Sequence, residues 1–304
     1  MTETSAAWST YWESANLHSC LASGGGDDQR LLERQWQAFA LQLPDGAKVL
    51  DLATGNGAVP HSLLTYNDEL NVSAVDYSDI QPHKLFTQTP VLKRVSFYPK
   101  TDITCLPNSK IPAQSFDALT SQFGIEYAGL QRVLERCLGL VREGGRVKFI
   151  VHHAHSELLA SSRRKLSELT HLLSTEGLVR NVVMWSKGKL DYQELERAGK
   201  NNVDHCPHRS RAISGQVFDG INQIINLAES DPARGILLAE SMQKRMNAEK
   251  QRLHQLDAAA ITEDEIIALE LLFTEAGFGK IKTNTIELEP QGYLLAWNFE
   301  AEKQ

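Results

Sequence analysis

An α/β fold, with an open and largely parallel sheet closed by a hairpin and interrupted by a helical segment, is predicted by three observations. Short apolar runs recur between residues 47 and 151 at intervals of about 20 to 30 residues, a spacing suited to parallel strands joined by crossover helices. From about Ser156 to Ala260 almost nothing reads as a strand, and leucines and isoleucines repeat at helical spacing. Two further apolar runs close the chain on either side of Pro290-Gln291-Gly292, a turn suited to an antiparallel pair.

The elements follow in order. Residues 1–46 form a helical arm, with Trp8, Tyr11 and Trp12 ahead of Gly24-Gly25-Gly26 and then Leu31, Leu32, Trp36, Phe39 and Leu41 at helical intervals. Five strands are expected at Ala47–Leu52, Val72–Val75, Val95–Tyr98, Phe116–Leu119 and Val147–Val151. Ser156 is a candidate N-cap for the first helix of an insertion over 156–260, which is too long for a loop. Thr262 and Glu265 have the spacing of a capping box, Gly277 suits a helix stop, and Ile281–Leu288 and Tyr293–Phe299 are the closing strands.

Composition narrows the function. The 304 residues are 42% hydrophobic and 23% charged, with 31 Lys+Arg against 38 Asp+Glu and a net charge of -7. Wrapping of polyanions is disfavoured, because it needs clustered cations to release phosphate counterions. The charge is uneven: residues 161–260 hold 15 Lys+Arg and 12 Asp+Glu, a local +3 that leaves -10 for the rest. Arg163-Arg164-Lys165 reads as a solvated helix face. Cys20, Cys105, Cys137 and Cys206 lie far apart without a Cys-x-x-Cys pair, which suits reduced thiols. With no apolar leader and no run of about eighteen apolar residues, a cytoplasmic protein without a membrane span is expected. In His205-Cys206-Pro207-His208 the potential ligands are too bunched for zinc, so no metal is assigned. Nothing in the sequence supports a homo-oligomer.

The most informative segment is Val49-Leu50-Asp51-Leu52-Ala53-Thr54-Gly55-Asn56-Gly57-Ala58, an apolar strand ending in an acid and followed by a Gly-x-Gly turn. A nicotinamide site would want a third glycine where Pro60 stands, and Asp51 would oppose a pyrophosphate. The same carboxylate suits a ligand bearing an amine or sulfonium. Nineteen residues beyond Gly57, the second strand ends at Asp76, where a carboxylate can accept from ribose hydroxyls.

These residues resemble the class I S-adenosylmethionine-dependent methyltransferases. Asp51 to Gly57 is similar to the family's Asp-x-Gly/Ala-x-Gly-x-Gly loop, and Asp76 to its ribose-binding acid. Thr101-Asp102-Ile103-Thr104-Cys105-Leu106-Pro107 resembles the segment that faces the adenine. Ser115 to Gly124 resembles the fourth-strand motif, especially that of quinone-biosynthesis C-methyltransferases, and Leu140 to Val147 the Leu-x-x-Gly-Gly turn. Phe273 to Phe278 is similar to the Ala-Gly-Phe segment before the family's last hairpin. The likeness covers about Asp45 to His153 and, more loosely, Glu263 to Phe299. It implies a Rossmann-like seven-stranded sheet of order 3-2-1-4-5-7-6 with strand 7 antiparallel. In it, 47–155 and 261–304 form the S-adenosylmethionine-binding domain. The helical insertion, 156–260, and the N-terminal arm match none of the family's motifs, and the insertion is read as a substrate lid.

The resemblance further implies that S-adenosyl-L-methionine is held by Asp51, Ala53, Thr54, Gly55, Asn56, Gly57, Asp76, Tyr77, Asp102, Ile103 and Gln122. Methyl transfer is an in-line displacement in which positioning and exclusion of water do much of the work. A hydroxyl acceptor adds the need for a general base, for which His153 and His155 are the candidates; alternation along a strand points them together and His152 the other way. Tyr11, Trp12, Phe123 and Tyr127 are candidates to wall a small-molecule acceptor. Two rival readings stay open: a protein or RNA methyltransferase, which the acidic charge disfavours for RNA, and a non-catalytic cofactor-binding partner protein.

Overall fold

The computed structural model describes residues 3–13, 16–18, 26–207, 213–289 and 292–304. It forms two compact units, Met1–Ala160 with Leu256–Gln304, and Ser161–Gln255. Cys20, His208 and the Pro290-Gln291 turn lie outside the described residues.

The first unit opens with helices α1 (Glu3–Trp12) and α2 (Gly26–Ala40). Strand β1 (Lys48–Leu52) leads into α3 (Ala58–Tyr66), β2 (Asn71–Val75), the short α4 (Pro82–Leu85) and β3 (Ser96–Tyr98). After β4 (Phe116–Gln122) come α5 (Leu130–Cys137) and β5 (Val141–His152). One seven-stranded sheet results, in the order β3-β2-β1-β4-β5-β7-β6, once β6 (Phe278–Leu288) and β7 (Tyr293–Lys303) are added. β1 to β5 pair in parallel, and β7 runs antiparallel to both β5 and β6. The expected strand order and the antiparallel strand 7 are what the chain adopts.

Alternation along the strands divides the core between two faces. On β1, Val49 packs with Leu32, Trp36 and Phe39 of α2 and Leu63 of α3, whereas Leu50 and Leu52 face the other side. There Phe149, Phe273 and Phe299 meet, with ring centroids 4.5 to 6.5 Å apart, beside Val133 of α5 and Leu269 of the helix at Glu263–Glu275. Each fully buried aromatic or leucine there contributes about 1.5–3 kcal/mol. The arm is thus part of this unit's core through α2.

β5 begins six residues before the expected Val147, because the register against β4 shifts between Phe116 and Ala118 and lets the Gly144-Gly145 segment join the strand. A Cβ on Gly145 would sit 2.5 Å from Val141 Cγ1 and 2.8 Å from the Arg142 carbonyl, so only glycine fits.

The second unit is helical. α6 (Glu157–Leu172) and α10 (Pro232–Ala259) each run across a unit boundary, and α7 (Leu178–Ser186), α8 (Tyr192–Asp204) and α9 (Ser214–Ser230) lie between them in sequence. Leu158, Leu159 and Leu256 belong to the core of the first unit, which is why the helical unit is about five residues shorter at each end than the expected 156–260. Its own core gathers Leu169, Leu172, Val182, Leu195, Ile221, Ile224 and Leu253. Buried Glu168 supplies the cap that α9 lacks locally: Oε2 accepts from Ile213 N at 3.0 Å and Ser214 N at 3.2 Å. The chain then returns through α11 (Glu263–Glu275), started by the expected Thr262/Glu265 capping box and followed by Gly277 at φ +82°. Among the described residues, no helix is long and apolar enough to cross a membrane.

Candidate functional site

The strands β1, β2 and β4 end at one edge of the sheet, and the loops that leave them define a cavity of about 380 Å³. That lies within the roughly 300–1,000 Å³ range of small-molecule sites. Its position at the carboxyl ends of parallel strands is where open α/β sheets bind ligands.

The backbone there is unusual. Ala53, just after β1, and Phe123, just after β4, both have φ of +53°, and Gly55 and Gly57 have +54° and +90°. Non-glycine residues in the left-handed region cost free energy and concentrate at functional sites. The two strand ends also touch: a Cβ on Gly124 would lie 2.5 Å from Ala53 Cβ.

Asp76 organises the loops. Its Oδ2 accepts from Gly55 N at 2.7 Å and its Oδ1 from Ser78 N at 2.8 Å, so the carboxylate ties the glycine turn to the end of β2. Burial pushes its pKa up, opposed by the hydrogen bonds from Ser78 and Gly55. Each oxygen keeps a lone pair for a further donor. Asp102 accepts from Thr104 N at 2.8 Å and Thr104 Oγ1 at 2.7 Å and so caps the turn Ile103–Cys105. Asp76, Tyr77, Asp102 and Ile103 all line the cavity, together with Ala53.

Asp51 lies deeper. Oδ1 accepts from Thr120 Oγ1 at 2.7 Å, whereas Oδ2 and the hydroxyl of Thr54 are buried without a hydrogen-bond partner. Burial drives the carboxyl up to about 7, moderated by the Thr120 hydroxyl and reinforced by the charge of Asp76. Gln122 is engaged elsewhere, accepting from Trp36 Nε1 at 2.6 Å.

An aromatic wall comes from the arm and from the segment after β4. Trp8, Trp12, Phe123 and Tyr127 line the cavity, Trp8 meets Tyr127 edge-on at 5.0 Å, and Tyr11 packs edge-on to Trp12 at 5.0 Å. Trp12 lies directly over Gly55, and the chain that follows it is held by Asn56, whose Nδ2 donates to Trp12 O at 3.2 Å and to Asn16 O at 2.9 Å. The open side of Gly55 therefore faces an indole of the same chain.

The three histidines part as strand alternation predicts. His153 stacks on Trp297 at 4.3 Å with Nε2 3.7 Å from Glu263 Oε1, and His155 is exposed, 3.8 Å from the same carboxylate. Neither lines the cavity. His152 does reach toward it: it packs on Phe123 at 4.3 Å, its Nε2 lies 3.1 Å from the Tyr127 hydroxyl, and its Nδ1 lies 3.4 Å from Glu126 Oε1. Glu126 is buried, receives His152 N on Oε1 at 3.1 Å, and leaves Oε2 unbonded. Burial pushes this carboxyl to about 7 against the pull of backbone N–H groups. Ser78, Ala128 and Arg132 also line the cavity without having been singled out in the sequence, and Trp8, Thr104 and Gly124 line it without having been named as site residues. Among the described residues no group of His, Cys, Asp and Glu could hold a metal.

A pH experiment follows from the two raised carboxyls. Asp51 rises from 3.8 and Glu126 from 4.5, each to about 7, so the folded state holds their protons longer than the unfolded chain. Their favourable contribution is complete below about pH 4, and it is lost as pH rises to about 7. Denaturant unfolding of wild type and the Asp51→Asn/Glu126→Gln variant should show wild type losing stability relative to the variant across that window, then running parallel above it. Curves parallel throughout would contradict the shifts.

No family model and no curated protein matches the chain. Among solved structures it is similar to the plantazolicin methyltransferase BpumL, crystallised with a pentazolic desmethylPZN analog and SAH. They share 10% identity over 100% of this chain and 96% of that one, with a TM-score of 0.51. The chain has the class I methyltransferase fold. It is similar, too, to the 1,6-didemethyltoxoflavin-N1-methyltransferase of Burkholderia thailandensis, at 15% identity over 99% and 89% of the two chains with a TM-score of 0.46. For the CurJ carbon methyltransferase the values are 12%, 90% and 53%, with a TM-score of 0.47, so the chain spans about half of that protein.

Proposed function

We propose that the chain binds S-adenosylmethionine and transfers its methyl group to a small molecule. One observation carries the reading: at the carboxyl end of a class I methyltransferase sheet, two acids and an aromatic wall converge on one cavity of cofactor-compatible size.

The residues present fit the group. Asp76 has lone pairs to spare for ribose hydroxyls, Asp102 and Ile103 offer a polar and an apolar edge to a base, and the unbonded Asp51 Oδ2 and Thr54 Oγ1 suit a cationic amine. When bound, S-adenosylmethionine supplies an electrophilic methyl whose bonding pair stays on sulfur, leaving a neutral thioether. The protein orients the acceptor and excludes water, for which Trp8, Trp12, Phe123 and Tyr127 provide rigid apolar surface. In the same reading the helical unit Ser161–Gln255 acts as the substrate lid and selects the acceptor, the +3 of residues 161–260 favouring a neutral or acidic molecule. The protein then works in the cytoplasm with its thiols reduced.

Titration calorimetry with S-adenosylmethionine and with its demethylated product should each give saturable one-to-one binding. No heat with either ligand overturns the proposal. Binding without methyl transfer to any metabolite pool turns the reading toward a cofactor-binding partner protein, and transfer confined to RNA or protein toward a macromolecular substrate.

A further inference from the structure

We propose that Glu126, His152 and Tyr127 form a proton relay ending on the cavity, and that the acceptor it serves is an aromatic hydroxyl. The inference rests on the methyl-transfer reading and names its substrate class.

The relay is built from three adjoining pieces of structure. Tyr127 follows β4 in the turn Ile125–Ala128 and lines the cavity; His152 ends β5; Glu126 precedes Tyr127 in sequence but is turned inward. Along β5, His152 shares a side with Ile150, which packs in the α2 and α3 core, and opposes His153. That alternation is what brings its ring to Phe123 and Tyr127.

The chemistry follows from the order of the atoms. With its proton on Nδ1, which stands 3.4 Å from Glu126 Oε1 in ion-pair rather than hydrogen-bond contact, the imidazole presents Nε2 as an acceptor for the Tyr127 hydroxyl at 3.1 Å. Tyr127 can then receive a proton from a hydroxyl in the cavity as it passes its own inward. As the acceptor oxygen's pair closes on the methyl carbon and the old bond's pair leaves with sulfur, Tyr127 takes the acceptor's proton and His152 Nε2 takes the phenolic one. The positive charge that leaves the sulfonium ends on the imidazolium, beside Glu126, and His152 returns its proton to solvent after release. Glu126 and Tyr127 are titratable groups that face the ring among the described residues, and the unbonded Oε2 leaves the carboxylate free to balance the charge. An aromatic acceptor is favoured because the cavity that Tyr127 lines is also walled by the rings of Trp8, Trp12 and Phe123.

Tyr127 is the cavity-facing member, and His152 and Glu126 act through it as positioning residues. The test uses the full chain with 4-nitrophenol, whose colour reports its ionisation, with S-adenosylhomocysteine present. In wild type the bound phenol should be at least about tenfold more ionised than the free phenol at the same pH. Tyr127→Phe and His152→Gln should abolish that gain while S-adenosylhomocysteine affinity stays within about twofold. Equal ionisation in all three proteins, or no binding of 4-nitrophenol to wild type, overturns the relay.

A second measurement needs no ligand. In nitrogen-15 NMR of the imidazoles, Tyr127→Phe should move the Nε2 resonance of His152 and Glu126→Gln its Nδ1–H, and an unmoved spectrum overturns the relay. Failure of wild type to bind S-adenosylhomocysteine would instead sink the cofactor assignment, leaving the imidazole spectra to judge the relay.

Discussion

Asp76→Ala should weaken S-adenosylhomocysteine binding by at least about 100-fold, because two hydrogen bonds to a charged, buried carboxylate are lost at about 1.5–3 kcal/mol each. The same substitution reaches the fold. Gly55 N and Ser78 N, held at 2.7 and 2.8 Å, would be left as unpaired donors, at a further cost of about 1–3 kcal/mol each. Stability and affinity must therefore be measured on the same preparations. Asp79→Ala is the control: that acid stands three residues on and pairs with exposed Lys100 at 2.9 Å. It should leave affinity unchanged, since an exposed ion pair contributes little. Calorimetry of the folded Asp76→Ala protein showing wild-type affinity would place the ribose elsewhere.

The place of Asp76 at the cavity could be read from the sequence because the signal is local: an apolar run of strand length ends on an acid at a fixed distance from a Gly-x-Gly turn. The strand order was legible for a related reason, since five ordered motifs resemble one family and the family carries one topology. Where the sequence was silent, the missing information was of longer range. Period-two alternation separates His152 from His153 and His155, but it does not say which side of the sheet end bounds the cavity. That depends on Phe123 and Tyr127 folding back over β5, and it sends His153 to Trp297 and Glu263 instead.

Gln122 is a similar case. Its place at the end of β4 follows from the motif, but its partner is Trp36 of α2, 86 residues away, and no periodicity in either segment announces the contact. Arg132 and Thr104 reach the cavity only because α5 and the turn after Asp102 lie beside it. The early start of β5 needed the register shift against β4, a pairing property that a single strand does not encode.

Gly55 belongs to the Gly-x-Gly turn that the resemblance assigns to the cofactor, and the structure adds a neighbour from its own chain. An ideal Cβ there would lie 2.3 Å from Trp12 Cζ2 and 2.4 Å from Cη2, in a residue whose φ is already +54°. Two costs of Gly55→Ala follow: about 1 kcal/mol for an alanine in the left-handed region, and loss of the indole's packing when it is displaced. Trp12→Ala alone should cost about 3–5 kcal/mol, the usual range for deleting a buried tryptophan, because only 7% of Trp12 is exposed. In the double variant the clash is gone, leaving the backbone cost on top of the tryptophan deletion. A double-mutant cycle by denaturant unfolding should therefore be non-additive by about 2–3 kcal/mol, with the double variant more stable than the sum of the single losses. Additive losses would mean that α1 does not rest its tryptophan on the glycine turn. Non-additivity would assign this glycine a second physical reason: beside its left-handed backbone, it leaves room for an indole that closes one side of the cavity.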